Sequence, residues 1–564
     1  MEKERLQEFT SVLQKYKTGK ASLERRVVSA ENWWKLRNRA YESRLSTESE
    51  GFRSASGWLH NVIVSKHADA MEAYPVPCIL PREAGDRAQA QLLSAVIPCI
   101  LEQNKFEKVY SDAIWQKLKT GTGVYRVSWD ASKLGGLGDI AIERVDLLNI
   151  FWEPGVSDIQ KSRYVFCTHL ENNDELTEKY PRLQGLLKTS PFTATRFVYD
   201  DAVSTEDKST VIEVYYKRRG VLQYCKYVGD TVLYSTEDDE LSRERGLYDH
   251  GKYPFVFDPL FPVEGTPCGY GFVDLCRNEQ TAIDLMRSAF VKNAVIGSTP
   301  RYFQRIDGSV NEAEFADLTK SLVHVSGNLG EDSLRQIAFS PMSGVYVDVL
   351  NSTIQELRET SGNTETSTGN ISSGVTAASA IAALQEASGK GSRDSTRESY
   401  LAYSEIVWLC IELIRQFYSL PRQFRISGSA GSEEFVTCSN EPLLPRELGT
   451  VGGVDMGTSQ SVFDIKVSAQ KRSAYSRLSQ NELAMELCKL GVFTPGNEET
   501  ALSMLEMMDF EGRDELMERL SASASAAQRM ARLEQFKALA INLAGQYRPE
   551  MLVGLTAGDD GSPA

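Results

Sequence analysis

The chain has 564 residues, of which 41% are hydrophobic and 25% charged, so it is long enough to bury several hydrophobic cores. Its 62 Lys and Arg against 77 Asp and Glu leave a net charge of −15, which disfavours ordinary binding to nucleic-acid phosphates. The nine Cys include no CxxC pair, and this predicts reduced thiols in a reducing compartment. No apolar run approaches the roughly 18 residues of a membrane span, and the N-terminus lacks an apolar signal segment.

The first half of the chain divides into a helical and a β-rich part. Apolar residues recur at spacings of three and four up to about residue 122, for example in "SGWLHNVIVSKHADAMEAY", which predicts helices ended by Gly121 and Gly123. From 123 to about 260 the period falls to two, as in "VIEVYYKRRGVLQYCKYVGDTVLYST". Arg219-Gly220 and Gly229-Asp230 stand between alternating runs and predict hairpin turns.

Two helices with an insertion between them come next. The helical period returns over 273–299 and again over 342–360, where four apolar residues share one stripe: Val347, Leu350, Ile354 and Leu357. Residues 300–341, between the helices, indicate a short strand, a helix and a second strand. The sequence therefore predicts a small αβ module carried between two helices.

A polar run, "SGNTETSTGNISSGVTAASAIAALQEASGKGS" from Ser361 to Ser392, leads into a long helix predicted over 375–420. No Lys or Arg occurs from residue 359 to 389, so this run is not built to grip phosphates. A flexible surface linker is one interpretation. The other is a mobile hairpin tip whose small residues let identical subunits lie side by side in a ring. Gly389 and Gly391 predict a kink in the long helix.

The C-terminal part is predicted to contain a β-like stretch, "SVFDIKVSAQ", within residues 421–476. Helices follow over 477–550, and the tail at 551–564 is predicted to be disordered. The whole chain is thus expected to be an α+β protein, predominantly helical.

The sequence contains only incomplete matches to the motifs of catalytic and metal-binding sites. "SGKGS" at 388–392 lacks the Gly at 384 and the hydroxyl at 391 that a phosphate loop needs. "GYGFVD" at 269–274 has Asp274 in place of the third Gly, and we interpret Asp274 as a helix N-cap. The five His include no HExxH motif, so we expect structural or surface roles for them. The sequence predicts no catalytic residues, no metal and no cofactor, and hence not an enzyme.

Five segments stand out in chain order: "KLKTGTGVYRVSWD" (117–130), "DLLNIFWEPGVSDIQKSRYVF" (146–166), "YPFVFDPLFPVEGTPCGYGFVDLCRNEQTAIDLM" (253–286), "RETSGNTETSTGNISSGVTAASAIAALQEASGKGSRDSTRESY" (358–400) and "SAQKRSAYSRLSQNELAMELCKLGVF" (468–493). Together they resemble the bacteriophage portal proteins, which form the ring through which double-stranded DNA enters and leaves a tailed-phage head. The resemblance covers nearly the whole chain. None of the segments is a catalytic motif.

The resemblance implies a portal fold with wing, stem, clip and crown, assembled as a ring of twelve subunits. The ranges it implies are 1–272 and 421–476 for the wing, 273–299 and 342–360 for the stem helices, 300–341 for the clip, 361–374 for a tunnel loop, 375–420 for the long kinked helix and 477–550 for the crown. The location implied is the portal vertex of the virion, after assembly in the host bacterial cytoplasm. The partners implied are further copies of the chain, the major capsid protein, the terminase large subunit, a head-completion or tail adaptor protein, and double-stranded DNA that passes through the channel without sequence specificity. No association with a membrane is implied.

The candidate site residues combine the ranges that the resemblance implies with the residue types found in those ranges. The polar tunnel loop offers weak, water-mediated contacts to DNA from Gly362, Asn363, Thr364, Glu365, Thr366, Ser367, Thr368, Gly369, Asn370 and Ser372. Transient phosphate contacts are expected from Arg287, Lys292, Arg358, Lys390 and Arg393, for which salt bridges between subunits are an equal alternative. Motor or adaptor docking on the clip is expected from Arg301, Arg305, Asp307, Glu312, Glu314, Asp317, Lys320, Glu331 and Asp332.

Two other functions stay open at this point. A helical tail or scaffold protein would use the polar run only as a linker and would form a filament, a monomer or a ring without a channel of DNA width. A packaging ATPase would need a phosphate loop, which the sequence lacks.

Overall fold

The computed structural model describes residues 3–36, 55–185, 187, 207–240, 242–298, 302–304, 311–317, 324–326, 334–337, 343–363, 390–427, 433–447, 450–451, 454–455 and 458–471. The chain divides into two compact units. The first unit is formed by Met1–Met71 and Ile100–Phe417, and the second by Glu72–Cys99 and Tyr418–Ala564. Helix and strand are mixed, as the sequence predicts.

The predicted N-terminal helices are confirmed as α1 (Lys3–Trp34), α2 (Trp58–Glu72), α3 (Arg87–Gln103) and α4 (Phe106–Thr120). Helix α4 ends where the glycine pattern predicts. Gly121 adopts a left-handed conformation with φ of 92°, and its N–H donates to the Lys117 carbonyl. A Cβ at Gly121 would also lie 2.4 Å from the Tyr270 backbone, so only glycine fits this turn.

The prediction that the chain up to about residue 122 is helical is wrong at Ala73–Pro81, which forms strand β1 in the second unit. It pairs antiparallel along its length with Phe463–Lys471. Pro75, Pro77 and Pro81 lie two or four residues apart, so their missing N–H groups all point to one side of the strand. Ile79 has the same parity, and its N–H donates to Ser94 Oγ at 3.3 Å. The prolines therefore occupy the unpaired edge, where a strand tolerates them and a helix would not.

Two antiparallel sheets form the β-rich part of the first unit. The three-stranded sheet has the order β3 (Asp139–Arg144), β2 (Thr122–Asp130) and β9 (Phe255–Pro259), and the five-stranded sheet has the order β4 (Ile150–Trp152), β5 (Tyr164–Asn172), β6 (Lys208–Arg218), β7 (Val221–Val228) and β8 (Thr231–Ser235). The predicted turns are confirmed, because Arg218 pairs with Val221 and Val228 with Thr231 across two-residue loops. Two short helices, α5 (Asn173–Lys179) and α6 (Ser242–Arg245), lie between strands of this part.

Helix α1 covers the five-stranded sheet with one apolar stripe. Leu6, Phe9, Leu13 and Tyr16 recur at spacings of three and four and are buried in a single hydrophobic cluster with side chains of β5, β6 and β7. Helix α4 packs on β2 and β3 in the other sheet. These contacts build the core of the first unit.

The predicted helix pair is confirmed as α7 (Phe272–Ser298) and α9 (Val345–Ser361), which pack against each other. A short strand β10 (Phe261–Pro262) pairs with β11 (Gly269–Tyr270) just before α7. The segment between the two helices contains β12 (Tyr302–Gln304), α8 (Glu312–Ala316) and β13 (Leu334–Gln336), with β12 paired to β13. The order strand, helix, strand is the predicted one.

The interpretation of Asp274 as the N-cap of α7 is wrong, because the helix begins two residues earlier. Asp274 lies in the first helical turn, and its carboxylate accepts a bond from the Gly271 N–H at 3.5 Å. This is the backward-reaching half of a capping box, so the side chain still satisfies a free N–H at the helix start. Its carboxylate also lies 3.6 Å from Arg26 Nε on α1.

The described part of the long helix is α10 (Lys390–Phe417), which packs on β2 and β9. Burial on several sides is confirmed, since Tyr403, Ile406, Val407, Cys410 and Leu413 are all 1% exposed or less. Gly391 lies in its first turn, whereas Gly389 and the predicted kink lie outside the described residues. No helix among the described residues is long and apolar enough to cross a membrane.

The second unit adds further strands after α10. Strand β14 (Arg422–Ser427) pairs with β15 (Glu433–Cys438). Four two-residue strands follow, and the last strand, β20 (Phe463–Lys471), is the β-like stretch predicted from the sequence. The four are β16 (Arg446–Glu447), β17 (Thr450–Val451), β18 (Val454–Asp455) and β19 (Thr458–Ser459). The helices predicted over 477–550 and the predicted tail at 551–564 lie outside the described residues.

Candidate functional site

The polar run begins at a well-formed helix end. Gly362 caps α9 in the left-handed conformation, with φ of 64°, and its N–H donates to the Glu359 carbonyl at 3.1 Å. The Asn363 N–H donates to the Arg358 carbonyl at 3.0 Å, which completes a Schellman motif. The backbone therefore leaves α9 in one defined direction.

Side chains of helix α2 hold the backbone where it leaves the end of α9. Lys66 Nζ donates to the Gly362 carbonyl at 3.3 Å, and Ser65 Oγ donates to Asn363 Oδ1 at 3.3 Å. Asn363 is only 6% exposed, so the chain is still buried one residue past the helix cap. Burial lowers the pKa of the Lys66 ammonium, and Asp69, 3.9 Å away, opposes part of that shift.

A buried polar network sets the position of α2 on α7. Ser56, just before α2, donates from its N–H and its hydroxyl to Asp284 Oδ1 at 2.8 and 2.6 Å. The amide of Gln280 accepts from the Leu59 N–H at 2.9 Å and donates to the Ser56 carbonyl at 2.9 Å. These bonds satisfy the start of α2 and place Lys66 beside the end of α9.

The other end of the polar run is held at α10 by a buried charge pair. Lys117 on α4 donates to Asp258 Oδ1 on β9 at 2.6 Å, and both side chains are 1% exposed. Its other two N–H groups donate to Ser399 Oγ at 2.8 Å and to the Ser395 carbonyl at 3.1 Å. The Ser399 hydroxyl donates to Asp258 Oδ2 at 2.8 Å, which closes the network. All three ammonium donors are satisfied, as a buried charge requires.

A cavity of about 240 Å³ lies between these two anchors. Residues 359–362 at the end of α9 and residues 394–396 at the start of α10 both line it, together with Lys66 and Lys117. The two flanks of the polar run therefore reach the same place in the first unit. The sequence gives no direct sign of this convergence.

Only the first two of the predicted loop residues are described, Gly362 and Asn363, and both serve as anchors. The other eight lie outside the described residues: Thr364, Glu365, Thr366, Ser367, Thr368, Gly369, Asn370 and Ser372.

The predicted phosphate contacts differ in their surroundings. Arg287 and Lys292 are exposed on α7, and Arg393 is exposed on α10. The Arg358 guanidinium lies 5.1 Å from the centre of the Trp58 ring, a cation–π contact that favours a structural role. Lys390 begins α10, but its side chain is outside the described part of the structure.

Three of the predicted clip residues can be placed, Glu312, Glu314 and Asp317. Glu314 accepts from the His324 N–H at 2.8 Å, and its carboxylate lies 2.7 Å from His324 Nδ1, so it stabilises the insertion itself. Glu312 is exposed in the first turn of α8. The remaining six lie outside the described residues: Arg301, Arg305, Asp307, Lys320, Glu331 and Asp332.

The five His have packing or hydrogen-bonding partners, which agrees with structural or surface roles. His60 stacks on Trp34 and His67 on Trp115, with ring centroids 4.0 and 3.8 Å apart. His169 Nε2 lies 2.8 Å from Glu171 Oε1. Within the described ranges, no three His, Cys, Asp or Glu side chains are placed to hold a metal ion.

Sequence reasoning missed the anchoring residues Lys66, Lys117, Asp258 and Ser399. One signal was present for Lys117, which continues the buried stripe of α4 formed by Tyr110 and Ile114. A charged residue on an apolar stripe predicts a buried partner. Nothing in the sequence identifies that partner, because Asp258 lies 141 residues further along.

The described residues contain a helix pair with an inserted strand–helix–strand module, and a long helix that follows a polar run of sequence. A family model of the phage P22-like portal protein matches residues 70–551, about six-sevenths of the chain. The chain therefore belongs to the P22-like phage portal family, and the resemblance of the five segments to phage portal proteins is confirmed. A comparison with curated proteins found no match.

Proposed function

We propose that twelve copies of the chain form a ring at one capsid vertex and that double-stranded DNA passes through its channel during packaging and ejection. Membership of the portal family supports this proposal, since the family match covers most of the chain. The role is structural and not catalytic.

The observation that carries the ring is an apolar surface on the helix pair. Large apolar side chains are exposed along the ends of α7 and α9 next to the insertion: Val295 (53%), Ile296 (40%), Val345 (64%), Tyr346 (53%), Val347 (46%) and Val349 (48%). An isolated soluble protein rarely exposes so many on two neighbouring helices, and such a patch marks a protein–protein contact. We assign the contact to neighbouring subunits of the ring.

The regions of the chain take the following roles in this proposal. Residues 1–272 and 421–476 form the wing, helices over 273–299 and 342–360 the stem, and 477–550 the crown. The clip at 300–341 docks the terminase large subunit and later the head-completion or tail adaptor protein, while the major capsid protein surrounds the ring.

The polar run supplies the moving contact with DNA. Residues 361–374 form a tunnel loop whose first three residues are anchored at the end of α9, and the part of the helix over 375–420 that precedes its buried half lines the upper channel. Neutral hydroxyl and amide groups make weak contacts without sequence specificity, and twelve copies at −15 each carry a formal charge of −180. Few counterions are then released on contact, so the duplex slides and is not clamped. The anchors at Lys66 and Lys117 hold the two flanks of the loop while its tip moves.

The test of the ring contact is a double variant, Val295→Asp with Val349→Asp. We expect native secondary structure by circular dichroism but a shift from rings to monomers in native mass spectrometry, because two carboxylates would be buried at each contact. Leu134→Asp with Leu137→Asp is the matched control, since both leucines are exposed on a loop far along the chain from the helix pair. An unchanged ring fraction in the helix variant would refute the assignment.

A further inference from the structure

The cavity between α2, α4, α9 and α10 has an apolar floor. Tyr110, Ile114, Leu118 and Phe272 line it and are between 1% and 7% exposed, so they form its deep part. At about 240 Å³ it is larger than the roughly 150 Å³ cavity known to bind benzene in an engineered protein. An aromatic ring with a short side chain fits this volume.

The mouth of the cavity is acidic. Asp69, Glu359 and Asp394 line it and are exposed, whereas the two lysines in the lining already have partners. Lys117 is neutralised by Asp258, and Lys66 lies 3.9 Å from Asp69 and donates to a backbone carbonyl. The charge left at the mouth is negative, and Thr360 and Thr396 in the lining add hydroxyl acceptors.

We infer that this cavity is a binding site for a small organic amine with an apolar body. The apolar body would rest on the buried floor, and the ammonium group would sit among the carboxylates at the mouth. An anion of the same shape would face those carboxylates and be rejected. This inference goes beyond the proposed function and does not depend on it.

The test is isothermal titration calorimetry of the full-length chain with phenethylamine as the probe. We expect saturable binding of one molecule per chain. Phenylethanol is the neutral comparison and phenylacetate the anionic one, and we expect them to bind about fivefold and at least tenfold more weakly.

Two kinds of variant test separately how the buried floor and the acidic mouth of the cavity contribute to binding. Ala70→Leu fills the cavity and is expected to abolish binding, with Thr396→Leu as a second filling variant should the first fail to fold. Ala131→Leu makes the same change on an exposed loop and is the matched control. Glu359→Gln with Asp394→Asn is expected to remove most of the preference for the amine over phenylethanol.

Absence of saturable amine binding would overturn the inference, as would binding that persists in a folded cavity-filling variant. Phenylacetate binding as tight as that of phenethylamine would overturn the amine preference, because Lys66 and not the carboxylates would then set the charge of the site.

Discussion

At the scale of single residues, the buried Lys117 is the most consequential group that family resemblance did not indicate. It joins helix α4 to strand β9 and to the start of α10. Such a pair contributes more to a specific arrangement than to net stability, because desolvation offsets much of the attraction between the charges. Here the arrangement it specifies is the position of the helix that follows the polar run.

Changing Lys117 to Met should destabilise the chain, because Asp258 would stay buried without its counter-charge. The expected loss in the free energy of unfolding is about 3–5 kcal/mol. Urea unfolding followed by circular dichroism measures it. Lys108→Met, on the exposed side of the same helix, is the matched control and should cost less than about 0.5 kcal/mol.

Adding Asp258→Asn to Lys117→Met should recover part of this loss, since no unpaired charge then remains buried. Equal stability of the Lys117 and Lys108 variants would show that the network of Lys117, Asp258 and Ser399 does not stabilise the fold.

His250 gives the first unit a defined sensitivity to acid. Its Nδ1 accepts the Lys252 N–H at 3.1 Å, a bond that only the unprotonated nitrogen can make. Burial lowers the pKa of His250 to about 4, with Lys252 and Lys217 adding to the shift and Asp249 opposing it. The neutral ring packs 5.2 Å from Tyr248 and 5.6 Å from Trp408.

Because the folded state disfavours the protonated ring, the stability that His250 confers is complete above its unfolded pKa of about 6.5 and is lost as pH falls toward 4. When the pH drops from 7 to 4.5, the free energy of unfolding of His250→Gln should therefore fall by about 1–3 kcal/mol less than that of the wild type. Urea midpoints at the two pH values test this. Identical losses for His250→Gln and the wild type would contradict the assignment.

At the scale of elements, local patterns predicted most of what the structure describes. The helix pair, the strand, helix, strand order of the insertion and both hairpin turns follow from periodicity and turn residues a few positions apart. Strand β1 did not follow, because its partner lies almost 400 residues away and its apolar residues fit a helical interpretation of the neighbouring sequence. The same holds for the candidate site. Gly362 could be predicted as a helix end from the local sequence, whereas the convergence of both flanks of the polar run on Lys66 and Lys117 depends on tertiary packing.

The element whose removal is most informative is the polar loop. The structure shows where a deletion should begin, because Gly362 and Asn363 belong to the helix cap. Deleting residues 364–373 keeps this cap and the Lys66 contact. We expect intact rings but a lower yield of DNA-filled heads, measured by sedimentation of phage particles carrying the deletion.

A Gly-Ser segment of the same length in place of 364–373 separates the presence of the loop from its chemistry. A wild-type yield of filled heads from the deletion would remove the loop from the packaging mechanism. Broken rings would instead make the segment part of the assembly contact.

For the whole molecule, the proposed function requires that copies of the chain assemble. A helix pair with exposed apolar ends is poorly suited to a monomer, and a net charge of −15 per chain suits a passage for DNA better than a clamp. The proposed closed ring of identical subunits would explain both features, since closure would cover the apolar surface and leave polar groups to face the channel.

Electron microscopy of the purified protein, combined with native mass spectrometry, tests this claim most directly. The account predicts closed rings of twelve copies around a channel at least as wide as a DNA duplex, about 20 Å. A filament, or an assembly without such a channel, would contradict it and would favour a tail or scaffold protein.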